Sequence, residues 1–215
     1  MNNLYIYCEG QTEESFVKSL LVPYFASKKI FVKPIICRTK EGPAGIYRGG
    51  ITDYNKAVRE IKKLCTQHPN EFVTSFIDFY GLDNLPQINY LGTDKYELIS
   101  QIENQFYSDV SNTNFIPYIS LHEFESLLFS NPEEFTYLSN QAANKFKNIL
   151  NDFNNNPELI NCGRETAPSK RIKKEIPTFS KLANGTSIAN RITLPIIREK
   201  CFHFSQWISK LEKIS

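Results

Sequence analysis

Apolar runs alternate with helix-spaced stripes along the first part of the chain. Leu4-Tyr5-Ile6-Tyr7 is short, apolar and aromatic, as a buried strand is. Phe16, Leu20, Leu21 and Tyr24 then fall on one face of a helix. Residues 30–37 predict a second strand, with Pro34 placing it at an edge or a bulge. A helix follows over 53–67, striped by Tyr54, Val58, Ile61, Leu64 and Cys65. Residues 72–79 read as a central strand. Residues 94–110 read as a helix, with Asp94 and Glu97 at capping-box spacing, and 115–121 as a last strand. From Asn131 onward the pattern is helical. It opens on Asn131-Pro132-Glu133-Glu134 and closes on a long helix over 194–214 whose face carries Ile197, Cys201, Phe204, Trp207, Ile208 and Leu211.

This alternation predicts an α/β core with a mainly parallel sheet flanked by helices over residues 1–130, and a helical C-terminal region over 131–215. A length of 215 residues with 41% hydrophobic content suffices for a real core. The net charge of +2 neither demands nor excludes a polyanionic partner. Five scattered cysteines form no Cys-x-x-Cys pair, which disfavours a zinc ribbon or disulfide framework and suits a reducing cytoplasm. No apolar run is long enough for a membrane helix, and the N-terminus shows no signal-peptide pattern.

The candidate chemistry gathers at strand ends. Glu9 sits where the first strand stops and the first helix begins, in the position where open α/β sheets bind ligands. Gly10 eases the turn, Thr12 is a candidate N-cap, and Glu13 can turn its carboxylate back toward the same crevice. Asp78 repeats the arrangement at the end of the 72–79 strand, before Gly81, while Asp83 reads as part of a turn. The third strand end runs into His122-Glu123-Phe124-Glu125. Ser120 and Glu123 have capping-box spacing, so Glu123 has a structural reading, whereas Glu125 calls for a separate explanation; His122 is a ligand, a base or simply hydrogen-bonded. Carboxylates brought together need a cation or a proton to neutralise them, which points to a divalent metal.

Two basic stretches complete the inventory. Residues 38–51 are rich in Gly, Arg and Lys and read as a loop, either solvated or in contact with phosphates. Pro168-Ser169-Lys170-Arg171 reads as a helix start with cations in its first turn. Those cations oppose the helix dipole, and a bound anion would relieve the conflict.

Taken together, Glu9-Gly10-Gln11-Thr12-Glu13, Asp78-Phe79-Tyr80-Gly81-Leu82, His122 to Phe129, Pro168-Ser169-Lys170-Arg171 and Cys201 to Trp207 resemble the DUF4276 family, a branch that looks Toprim-like and related to the OLD nucleases. The resemblance implies a Toprim-like sheet and Mg²⁺- or Mn²⁺-dependent phosphodiester chemistry. By that resemblance Glu9 and Glu13 take the first acidic role, Asp78 the second, and Glu123 or Glu125 the third. Lys170 or Arg171 neutralises transition-state charge. The expected metal ligands are Glu9, Glu13, Asp78 and Glu125. A nuclease acting on DNA or RNA, placed in phage defence beside an ATPase partner of the AAA or ABC type, follows from the resemblance alone. One position departs from the pattern: Tyr80 stands where the second Asp of Asp-x-Asp belongs, and a phenol is a poor ligand for a hard cation. That departure favours an alternative, a catalytically degenerate subunit that binds nucleic acid or the ATPase.

Overall fold

A computed structural model describes residues 2–42, 45–48, 53–160, 163 and 165–214. The chain divides into two compact units, residues 1–119 with 209–215, and residues 120–208. The expected boundary at residue 130 falls inside the second unit.

The first unit is built on a sheet whose parallel strands run in the order β2 (Ile30–Ile36), β1 (Asn2–Cys8), β5 (Phe72–Asp78) and β6 (Phe115–Ile116), with β7 (Ile119–Ser120) also paired to β5. β1 pairs in parallel with β2 on one side and β5 on the other. Five consecutive residues of β1, Leu4 to Cys8, are buried, as are Val73 to Ile77 of β5, because helices cover both faces. One face meets the helical segment made of α1 (Gln11–Phe16), a π-helical turn (Val17–Leu21) and α2 (Val22–Ala26), where Phe16 packs edge-on against Phe76. The other face meets α3 (Tyr54–Gln67). There Tyr7 donates to Glu60 at 2.6 Å, and Tyr5 stacks on His68 just past the helix end. α4 (Lys95–Val110) joins that layer through the Tyr54–Phe106 ring contact and the Phe106–Phe115 contact to β6.

Several local expectations take a different form. The helix after Glu9 starts at Gln11 with Gly10 as its cap, because Glu13 reaches back to accept the Gly10 N–H at 2.8 Å; Thr12 lies inside the helix. The stretch 38–51 is not simply a loop. Its described part forms an antiparallel hairpin of β3 (Arg38–Gly42) and β4 (Gly45–Arg48), while residues 43, 44 and 49–52 lie outside the described residues. The 115–121 strand splits into β6 (Phe115–Ile116) and β7 (Ile119–Ser120) around Pro117, which has no N–H to give a ladder. Ser75 patches the gap: its hydroxyl donates to the Tyr118 carbonyl at 2.8 Å and accepts the Tyr118 N–H at 2.9 Å. Buried Glu103 accepts the next amide, that of Ile119, at 2.8 Å.

The second unit is helical. Its centre is a 3-10 helix, Phe124–Ser130, all seven residues of which are buried. Around it lie a 3-10 turn Pro132–Phe135, α5 (Asn140–Asp152), a 3-10 turn Pro157–Leu159, α6 (Pro168–Glu175), a π-helical turn Lys181–Gly185, α7 (Thr186–Ile192) and α8 (Leu194–Lys200). The expected long helix over 194–214 breaks at Cys201, whose backbone is extended, and resumes as α9 (Phe202–Glu212). Buried Glu158 accepts the N–H groups of His203 and Phe204 at 2.9 and 2.8 Å, which supplies the new helix with its N-terminal acceptor. The end of α9 returns to the first unit, where Glu212 bonds the Tyr24 hydroxyl and the Asn2 side chain donates to the Ile214 carbonyl. Cys8, Cys37, Cys65 and Cys201 are buried, and none of the four is in a disulfide.

Candidate metal centre

In the first unit the sheet register brings two of the acidic candidates together. Cys8 lies level with Phe76, so the chain leaves β1 through Glu9 beside the last residues of β5. The Glu9 N–H donates to the Phe76 carbonyl at 3.2 Å, and the Asp78 N–H donates to Glu9 Oε2 at 3.1 Å. On the opposite side Cys37 donates its N–H to the Cys8 carbonyl at 3.1 Å and its thiol to the Glu9 carbonyl at 3.2 Å. Glu9 is thus fixed by both neighbouring strands, and its side chain is anchored on the backbone that carries Asp78. Both residues are half-buried, so that each stays reachable from solvent. Glu13 is buried and belongs to the same turn through Gly10. Asp83 is exposed, and its backbone carbonyl accepts the Tyr54 N–H at 3.0 Å at the start of α3.

The second unit holds the other group. Glu123, expected from its spacing to box with Ser120, instead accepts the Ser169 N–H at 3.0 Å and the Ser169 hydroxyl at 3.1 Å. It therefore supplies the anion that the basic start of α6 calls for, and a carboxylate of the chain itself relieves the conflict with the helix dipole. Lys170, next in α6, is exposed. Arg171 turns back: its Nε donates to the Thr166 carbonyl at 2.6 Å and its guanidinium lies over the Phe153 ring. His122 is buried.

Glu125 is the most enclosed of the candidates, at 1% exposure. The central 3-10 helix carries it inward, since that helix is packed on every side. Lys181 Nζ lies 2.7 Å from Glu125 Oε1, close enough to pair by charge, but neither carboxylate oxygen receives an aligned hydrogen bond. Burial pushes the Glu125 carboxyl above its ordinary range. Lys181 pulls it down again, and nearby Glu123 adds to the rise. Lys181 is the residue of this group that sequence reading missed, and Ser169, read only as part of a helix start, was not foreseen as the partner of Glu123. Both are displaced far along the chain from the acids they serve, and no local spacing reveals them.

In the first unit Glu9, Asp78 and Glu13 offer carboxylate oxygens, the donors that Mg²⁺ or Mn²⁺ prefers; Glu125 belongs to the second unit. Among the described residues no three His, Cys, Asp or Glu side chains form a ready-made cage. Among the described residues no helix is long and apolar enough to cross a membrane.

The fold has a counterpart among solved structures. The C-terminal region of the Burkholderia pseudomallei OLD protein matches over 100% of this chain and 98% of its own, with a TM-score of 0.52 at 12% sequence identity, a likeness of fold. The C-terminal region of the Xanthomonas campestris pv. campestris OLD protein also matches, over 92% of this chain and 93% of its own, at a TM-score of 0.31 and 15% identity. No curated protein matches the chain in sequence. The family model described as "Domain of unknown function (DUF4276)" matches residues 8–212, from the end of β1 to the end of α9, and the chain belongs to that family.

Proposed function

We propose that this chain is a divalent-metal-dependent phosphodiesterase that cleaves DNA or RNA, with a Toprim-like acidic centre at the ends of β1 and β5. The observation that carries the reading is the Glu9–Asp78 junction: two half-buried carboxylate residues on adjacent parallel strands, joined by the Asp78 N–H to Glu9 bond of 3.1 Å. Strand carboxyl ends are where such sheets bind ligands. Glu9 and Asp78 would hold Mg²⁺ or Mn²⁺, with Glu13 beside them; Glu125, enclosed with Lys181, stands outside this set. A bound cation supplies charge stabilisation for the phosphate and a more acidic attacking water. Glu123, already bound to Ser169, positions the start of α6 rather than moving a proton. Exposed Lys170 is better placed to meet a phosphate than Arg171, whose guanidinium is engaged. An ATPase partner and a role in phage defence extend this reading by family resemblance.

A second reading, a nucleic-acid-binding subunit without catalysis, draws on Tyr80 in place of a second acid. One assay separates them. Plasmid and tRNA are incubated with the protein in Mg²⁺, Mn²⁺ or EDTA, beside Glu9→Ala and Asp78→Ala. Cleavage that needs metal and falls about 100-fold or more in both variants supports the enzyme. Retained binding without cleavage in any metal supports the subunit.

A further inference from the structure

The helical cover of the sheet is lopsided at β2. Paired residues of parallel strands point to the same face, so the register puts Phe31, Lys33 and Ile35 on the face of Asn3, Tyr5 and Tyr7. That is the α3 face, because Tyr7 donates to Glu60 and Tyr5 stacks on His68. On the other face of β2, Ile30 and Val32 are buried. On the α3 face the alternate positions stay open: Phe31 is 47% exposed, Ile35 is 37% exposed, and Lys33 is exposed as well. Among the described residues α3 thus covers β1 and leaves β2 bare. Between them runs an open cleft of about 250 Å³, lined by Tyr7, Ile35, Glu60, Lys63, Leu64 and Gln67. It is smaller than the roughly 300–1,000 Å³ of clefts that enclose a whole ligand, and takes one ring rather than a base pair.

The rim of the cleft is basic. Lys56, Arg59 and Lys63 follow one another along the solvent side of α3, and Lys33 lies beside the Tyr5 ring, 5.1 Å from its centre. The acids that adjoin it are engaged. Glu60 accepts from Tyr7 at 2.6 Å and has Lys56 at 3.8 Å, while Glu71 accepts from the Asn3 side chain and lies 3.3 Å from His68. Four cations therefore stand beside two acids that already have partners, and the surplus suits a polyanion. Pro34 takes an N–H out of the middle of this edge strand, which disfavours the addition of another strand.

We infer that the bare face of β2 and the cleft beside α3 form a track for single-stranded nucleic acid that leads to the turn at Glu9. Phe31 stacks on one base, the cleft takes another, and Lys33 and Lys63 meet phosphates. A single strand offers the base faces that a duplex hides in its own stack. The inference rests on the reading of nucleic acid as the substrate, and it names the form and the path of that substrate. Phe31 is level with Asn3, six residues before Glu9. At about 3.3 Å per residue the track is about 20 Å long, the span of about six stacked nucleotides at 3.4 Å each.

The test is fluorescence anisotropy of the full chain in EDTA, where metal-dependent cleavage stops, and again in Ca²⁺. The probes are a labelled single-stranded oligonucleotide and the duplex of the same sequence. Wild type should bind the single strand about tenfold more tightly than the duplex. Phe31→Ala should weaken the single strand about tenfold, and Phe31→Trp should restore it, because a larger ring stacks as well. Lys63→Gln should weaken it severalfold and lower the slope of log affinity against log salt by about 0.7, the share of one phosphate of a single strand. Phe202→Ala, at an aromatic residue 60% exposed in the second unit, should bind as wild type does. Equal affinity for duplex and single strand, or an equal loss in Phe202→Ala, overturns the track. So does a wild-type protein that sediments as a dimer which Phe31→Ala dissociates, since a second copy then covers the face. If wild type binds neither probe in EDTA or in Ca²⁺, the nucleic-acid reading fails and the track with it. If binding is intact but indifferent to Phe31 and Lys63, the track alone falls.

Discussion

Single carboxylates perform structural tasks throughout this chain that their sequence neighbours do not announce. Asp53 is the plain case. It caps α3 by accepting the Lys56 N–H at 2.7 Å and is held by the Asn84 amide at 2.6 Å. Those two bonds, the backbone one first, hold its carboxyl below the usual Asp range. A lowered folded value means that the stabilisation is present above the unfolded-state pKa and is lost as pH falls through the folded one. Asp53→Asn keeps an oxygen for the Lys56 N–H and removes the charge together with the acceptor for the Asn84 amide. The variant should be less stable than wild type at neutral pH, and the gap should close as the solution is acidified through the range of Asp titration, as read by chemical denaturation at a series of pH values. Caps of this local kind, Asp53 and Asp94, are legible from spacing alone. Glu123 and Glu158 are not, because each serves a helix start more than forty residues away in sequence. The same holds at the candidate centre. Glu9 and Asp78 stand out as acids at the ends of apolar strands, whereas Lys181 and Ser169 become visible only once the chain has folded.

Elements were easiest to read where one periodicity ran unbroken. The strands β1 and β5 and the helices α3 and α4 begin and end within a residue or two of where pattern and caps place them. The departures share a cause: a backbone break that apolar spacing does not register. Pro117 splits one strand although its flanks remain apolar, and Cys201 breaks a helix whose stripe of Ile197, Phe204, Trp207 and Leu211 continues across the break. Between α7 and α8 the chain turns at Thr193, which has φ 73° and ψ 152° and is exposed. Such a conformation is natural for glycine and strained for a β-branched residue, by about 1–3 kcal/mol. The entropy that glycine gains in the unfolded chain offsets part of the relief, about 0.5–1 kcal/mol. Thr193→Gly should therefore raise stability by about 1 kcal/mol, measurable as an increase in the denaturant midpoint at constant slope.

The molecule as a whole is two units with interleaved chain order. An α/β unit takes back the last turn of a helix that began in its neighbour. Sequence pattern separates the alternating half from the helical half because the periods differ. The 3-10 helix Phe124–Ser130 is as apolar as a core strand, and it lies in the helical unit as its buried centre. The return of the chain end has a practical corollary. Because the Asn2 side chain reaches the Ile214 carbonyl, a linker of a few residues can join residue 214 to residue 2 and leave the fold intact. The gene can then be reopened at Asn154-Asn155, an exposed pair in left-handed conformation just past α5. A circular permutant of that design should purify as a folded protein with near-native circular dichroism. It would carry its new ends, and any tag or dye placed on them, on the helical unit instead of beside the sheet.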